Sequence, residues 1–261
     1  MSFLTQLPLP LVYLISFAAL AAAAEFGRAL GMRRSPNSNV STLEASILGL
    51  LALLLGFCFA TAMSRHEERR AAVLSEANAI GTAALRASLL PAPHDWNALK
   101  AMKEYTQLRV SLIGRPADGR EFNAALGRSN SLQSDLWRDV KGALEKNNAM
   151  APVGIYIQSL NDMFDSQEKR LVAARSHVPD FVMLSLYAIT IISIGFSAYA
   201  RGVESKTPRG PVYVTAMLIA GVILLIQDID RPDVGMVSVN QTPMIDTAGQ
   251  IDGLLKSATP N

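Results

Sequence analysis

The sequence has one cysteine, Cys58, so no internal disulfide can form and a four-cysteine metal site is excluded. Histidine is almost as scarce. His66, His94 and His177 make no ligand pair at helical spacing. Charge is sparse: 18% of residues are Asp, Glu, Lys or Arg, against about 25% in soluble domains. An excess of one sign is missing too. The formal net charge of +2 excludes the strongly basic profile of a nucleic-acid binder, and no nucleic-acid partner is expected. Glycine (17) and proline (13) are too few for a collagen-like or low-complexity chain. No run alternates with period two for long enough to build a sheet, and no repeat of fixed period is present. Glycine-rich phosphate loops and serine elbows are absent. His66-Glu67-Glu68-Arg69-Arg70 begins like a zinc-protease helix, but arginine stands where the second histidine is needed. Asp228-Ile229-Asp230-Arg231-Pro232-Asp233 puts proline at the third ligand position of a calcium loop. No catalytic set, cofactor site or metal site is expected, and an enzyme is not indicated.

What the chain does have is apolar length. Of its 46 charged side chains, 29 fall within residues 64–178, leaving two apolar ends around a charged middle. Met1 to Ala24 carries no charged side chain, and further uncharged runs cover Ala45–Met63, Phe181–Ala200 and Gly210–Gln227. About 20 residues of helix cross a hydrocarbon core of about 30 Å, so each run is read as a transmembrane helix. In lipid only a helix satisfies its own backbone at that depth. No basic residue precedes Arg28, so the first run lacks the positive leader of a signal peptide and is read as an uncleaved span.

The middle is read as helical. Val73, Ala77, Ile80, Ala84 and Ala87 recur at steps of four and three, as do Leu99, Met102, Tyr105, Leu108 and Leu112. Similar stripes cover Glu121–Lys146 and Val153–Val178, with turn-rich links at 91–93, 114–119 and 147–152. No proline occurs from Asn37 to Leu90, so the second span can continue unbroken into the charged segment. The expectation is an all-α membrane protein with four transmembrane helices in two hairpins and an extramembrane helical bundle inserted between helices 2 and 3. Residues 1–63 hold helices 1 and 2 (about 7–30 and 43–63), and 64–178 form the bundle. Residues 179–227 hold helices 3 and 4 (about 180–200 and 210–227), and 228–261 form a polar C-terminal tail. Short basic loops favour outward termini, but the basic flanks of the middle domain nearly cancel that signal.

Two kinds of candidate residue stand out. Ala19, Ala23, Gly27 and Gly31 in the first span, and Ala52, Gly56 and Ala60 in the second, are small residues at four-residue steps. Such faces let helix backbones approach closely in lipid, either between these two helices or between subunits. The second kind is a candidate pore or gate. Phe57 and Phe59, on either side of Cys58, suit a hydrophobic constriction. Asp228 and Asp230 suit a charged ring at a pore mouth, with Arg231 pairing to one of them or to Glu25.

Three segments resemble a family of bacterial bestrophin-like membrane proteins. They are Leu54-Leu55-Gly56-Phe57 through Ser64-Arg65 with Glu68-Arg69-Arg70; Glu76-Ala77-Asn78-Ala79-Ile80-Gly81-Thr82 with Leu85-Arg86 and Leu89-Leu90-Pro91; and Asp230-Arg231-Pro232 with Gly235 and Val237-Ser238-Val239, a D-R-P-x-x-G motif. The resemblance implies a four-span protein with a helical middle domain in the bacterial inner membrane. Bestrophins are pentameric ion channels; their calcium clasp and their run of neck aromatics are not found in this sequence. The functional expectation is an oligomeric ion channel or permeation pathway, with the lipid bilayer, copies of itself and inorganic ions as partners. The alternative is a membrane-anchored sensory, binding or scaffold module acting through a partner protein.

Overall fold

Eight α-helices make up the regular structure among the described residues of the computed structural model, which are 8–33, 40–112, 119–146, 150–203, 208–231 and 235–258. They are α1 (Leu9–Gly31), α2 (Val40–Ala87), α3 (His94–Ser111), α4 (Arg120–Lys146), α5 (Met150–Arg175), α6 (Asp180–Val203), α7 (Gly210–Asp230) and α8 (Thr242–Ser257). Arg34, Pro36, Asn37, Glu204, Lys206, Pro232, Asp233 and residues 114–118 and 147–149 of the two links lie outside the described residues.

Local chemistry accounts for the helix ends. Prolines sit within the first two positions of α1, α7 and α8, where a missing N–H costs nothing. Ahead of α8, the Asn240 side chain accepts from the Thr242 backbone N–H at 2.9 Å and from its hydroxyl at 2.6 Å. Arg231 ends α7 in an extended conformation. It precedes a proline in the sequence, which disfavours the helical region. The proline-free stretch gives α2 its 48 residues, about 72 Å at 1.5 Å per residue.

The chain divides into two compact units. The first comprises Met1–Arg65, His177–Arg231 and Gly235–Val237; the second comprises His66–Ser176, Pro232–Val234 and Ser238–Asn261. Four helices, α1, α2, α6 and α7, are long and apolar enough to cross a membrane. In the first unit, Leu20 and Ala24 of α1 pack with Ile194 and Ala198 of α6 and with Val212, Ala216 and Ala220 of α7. A neighbouring cluster joins Leu51, Cys58 and Ala62 of α2 to Leu186 of α6 and to Ile223, Ile226 and Ile229 of α7. Polar bridges add to this packing. Ser16 and Tyr187 share a hydrogen bond of 3.0 Å, Gln227 Nε2 donates to the Tyr187 hydroxyl at 2.9 Å, and Ser197 donates to Glu44 at 2.6 Å. Such bonds between membrane helices contribute about 0.6 kcal/mol each on average.

The second unit is a bundle of α3, α4, α5, α8 and the later part of α2. Its core brings Ile80, Ala84 and Ala87 against Leu99, Met102, Leu136, Leu160 and Met163, with Met244 and Ile251 from α8. Residues 242–257, which composition left inside a polar tail, therefore form a helix with a buried face. Thr247 also donates to the Ala77 carbonyl at 3.3 Å.

Candidate functional site

The outer face of α2 is the first feature of interest. Successive helix residues point about 100° apart, so Leu51, Cys58 and Ala62 turn inward while their neighbours turn away. Phe57 is 63% exposed and Phe59 37%. Ala52, Gly56 and Ala60 are exposed as well, and a Cβ built on Gly56 would meet nothing within 4 Å. The small-residue face of α2 is thus unfilled by its own chain among the described residues.

The small-residue face of α1 is filled. Gly27 and Gly31 are buried, Ala23 is half-buried and Ala19 is exposed. The buried stripe runs Val12, Ser16, Leu20, Ala24, Gly27 and Gly31. A Cβ on Gly27 would run into the Gly195 carbonyl, and one on Gly31 into the Tyr199 carbonyl. From the other side, a Cβ on Gly202 would lie 2.6 Å from the Arg28 carbonyl oxygen and 3.1 Å from the Gly31 Cα. The partner of Gly27 and Gly31 is therefore α6, where the sequence offered α2 or another subunit. Glycines on both helices allow backbone to touch backbone, and glycine content alone does not name the partner.

Glu25 lies near the C-terminal end of α1. It accepts from the Tyr213 hydroxyl, and the Arg209 Nε is 3.9 Å away. Arg28 and Arg201 border the same shallow cleft. The Glu25–Arg231 pairing allowed by the sequence is replaced by Tyr213 and Arg209, residues at the start of α7.

The other end of α7 uses its carboxylates on backbone. Asp228 is fully buried, and its two oxygens accept the N–H groups of Met236 and Val237 at 2.9 and 3.0 Å. Gly235 is required by this turn, since a Cβ there would collide with the Asp228 carboxylate. Asp230 accepts the Val178 N–H at 2.9 Å, and His177 Nδ1 lies 3.2 Å from its carbonyl oxygen. Arg231 is buried and feels the Asp228 charge. Asp228 and Asp230 thus tie the segments beside α7 to its end. The D-R-P-x-x-G pattern contains the Gly235 that makes room for Asp228.

The second unit holds a polar cluster that sequence reasoning did not assign. Glu76 is fully buried in α2. Arg109 donates to it through Nε at 2.7 Å and Nη2 at 3.3 Å, and Arg170 through Nη1 at 2.6 Å. Tyr105 donates to Gln167 and lies 3.4 Å from Glu76, and Gln133 also donates to Gln167. Burial, followed by the nearby Glu76 charge, pushes the Tyr105 phenol well above its ordinary range. Tyr105 therefore stays a neutral donor. The signal was legible in principle. Glu76 falls in phase with Val73 and Ile80, and Arg109 with Tyr105 and Leu112, so both charges lie on buried stripes.

Among the described residues no group of three or more His, Cys, Asp or Glu is placed to hold a metal ion. What the helices define is an all-helical integral membrane protein with four bilayer-length apolar helices. Residues 12–244 match the Bestrophin-like domain, and the chain belongs to the Bestrophin-like family. Its fold is similar to that of a bacterial bestrophin homologue from Klebsiella pneumoniae. A point variant of that protein superposes with a TM-score of 0.66 at 14% identity, covering 95% of this chain and 97% of the other. A structure of the homologue solved by zinc phasing gives 0.63 at 16% identity, covering 96% and 98%. No curated protein matches the sequence.

Proposed function

We propose that this protein is an oligomeric ion channel of a bacterial inner membrane, in which copies of α2 surround the permeation path. The observation that supports this reading is the outer face of α2. Phe57 and the small residues Ala52, Gly56 and Ala60 share an exposed surface within the apolar run Ala45–Met63. A helix facing only lipid has no need of small residues at four-residue steps, whereas a helix meeting another helix does. Phe57 then forms a ring that gates by excluding water, while Phe59, two residues on, faces a different side of α2 and would shape the path only from a neighbouring copy. Membership of the Bestrophin-like family supports the same reading. Asp228, Asp230 and Arg231 shape the end of α7 in this account, and Glu25 joins the ends of α1 and α7.

The test is ion flux from liposomes carrying the purified full-length protein. Flux of potassium or chloride is expected, and Phe57→Ala, which removes the constriction, is expected to raise it. Silent vesicles with verified protein incorporation, across several ions, would overturn the channel reading. Silence together with a reproducibly co-purifying protein would favour the sensory or scaffold alternative.

A further inference from the structure

The geometry points to an anion-binding site inside the helical bundle of the second unit, formed by Arg109, Arg170 and Gln241 and sized for a small inorganic monoanion. A cavity of about 50 Å³ is bounded by these three side chains together with Arg69, Val73 and Leu171. By that measure it has room for about three or four waters or one halide-sized ion.

Charge supports the same ligand class. Glu76 is shared by Arg109 and Arg170. One carboxylate against these two guanidiniums leaves one positive charge, and the Arg69 guanidinium lines the cavity as well. The placement of donors is more specific. Arg109 is only 2% exposed, and its Nε and Nη2 both go to Glu76. Its Nη1 is buried and has no hydrogen-bond partner. A buried guanidinium nitrogen left this way is costly, and a small turn of the Arg109 guanidinium toward the adjoining cavity would let an anion there satisfy it. Arg170 Nη2 reaches the Gln241 Oε1 at 3.2 Å, which holds the Gln241 amide at the cavity with its Nε2 donating to the Val239 carbonyl at 3.3 Å. Arg69 closes another wall, its Nη2 donating to the Ser176 carbonyl at 2.9 Å. The site lies wholly within the second unit and does not depend on conduction.

The test uses the full-length protein in detergent, with bromide as probe and gluconate, too bulky for the cavity, as the reference salt at equal ionic strength. Bromide is expected to raise the unfolding temperature saturably, by about 3–6 °C at ten times its Kd. Arg109→Gln is expected to weaken that response. Ala174→Glu, at a half-buried position lining the cavity, supplies a tethered carboxylate. That variant is expected to lose the response to bromide. Crystals grown in bromide are expected to show an anomalous peak within hydrogen-bond distance of Arg109 Nη1, a result independent of either variant. Equal unfolding temperatures in the two salts, an undiminished response in Ala174→Glu, or bromide sites with none beside Arg109 would each overturn the proposal.

Discussion

Replacing Gly202 by alanine tests the α1–α6 contact with a single methyl group. Its Cβ would sit 2.6 Å from the Arg28 carbonyl oxygen, while ordinary contact begins at 3.4 Å, so the helices must open by 0.8 Å (3.4 minus 2.6) at that point. Both sides of the contact are backbone, so no rotamer change relieves it. Overpacking costs about 1–3 kcal/mol, and a rigid backbone neighbour places this case at the upper end. Alanine's better helix propensity returns up to about 1 kcal/mol. The net loss is about 2 kcal/mol, or about 4–8 °C in unfolding temperature for a protein of this size. The control is Gly127→Ala in α4, where the new methyl meets nothing within 4 Å and only the propensity gain remains. Thermal unfolding of the two purified variants in detergent, followed by near-ultraviolet circular dichroism, reads the difference. Equal unfolding temperatures for Gly202→Ala and Gly127→Ala would refute the reasoning, because the account attributes the whole contrast to backbone contact at one position and open space at the other.

Other positions give further predictions. Glu76→Gln leaves the buried Arg109 guanidinium and the partly buried Arg170 one without their carboxylate and is expected to cost about 3–5 kcal/mol; Lys103→Ala breaks a half-exposed pair with Asp252 and is expected to cost under about 1 kcal/mol. A denaturant series that ranked them in the reverse order would contradict the assignment of Glu76 to the centre of the bundle. Asp228→Asn replaces one of two acceptor oxygens by a donor, at about 1–3 kcal/mol, and is expected to speed hydrogen exchange at the Met236 and Val237 amides; unchanged exchange would show that the carboxylate does not hold that turn. Burial raises the Asp139 carboxyl above its usual range, and His94 only partly offsets this. The folded state therefore binds that proton more tightly than the unfolded chain does. The resulting stabilisation is present below the unfolded pKa and is lost as pH rises through the folded one. Asp139→Asn is expected to remove this fall in stability with rising pH, which urea unfolding across acidic to neutral pH would detect.

The apolar runs made the four membrane helices legible, because a bilayer sets both their length and their lack of charge. The stripes at Val73–Ala87 and Leu99–Leu112 were legible for a similar reason: burial on one face imposes a period. Partners were harder to read. Gly27 and Gly31 announce a close approach, but any helix with a glycine of its own can answer, and Gly195 and Gly202 of α6 do. Composition does not show that backbone amides come back to meet Asp228 and Asp230. Helix α8 was obscured by Asp246 and Asp252, although Met244, Thr247 and Ile251 keep a helical spacing on its buried side. Arg109 and Arg170 lie 33 and 94 residues from Glu76, too far apart in sequence for spacing to pair them.

The position of Phe57 relative to a symmetry axis tests the central claim most directly. Particle images of the purified protein at side-chain resolution are expected to show several copies around one axis, with α2 innermost and the Phe57 rings facing each other across it. A single copy, or an assembly in which Phe57 points into lipid, would contradict the account.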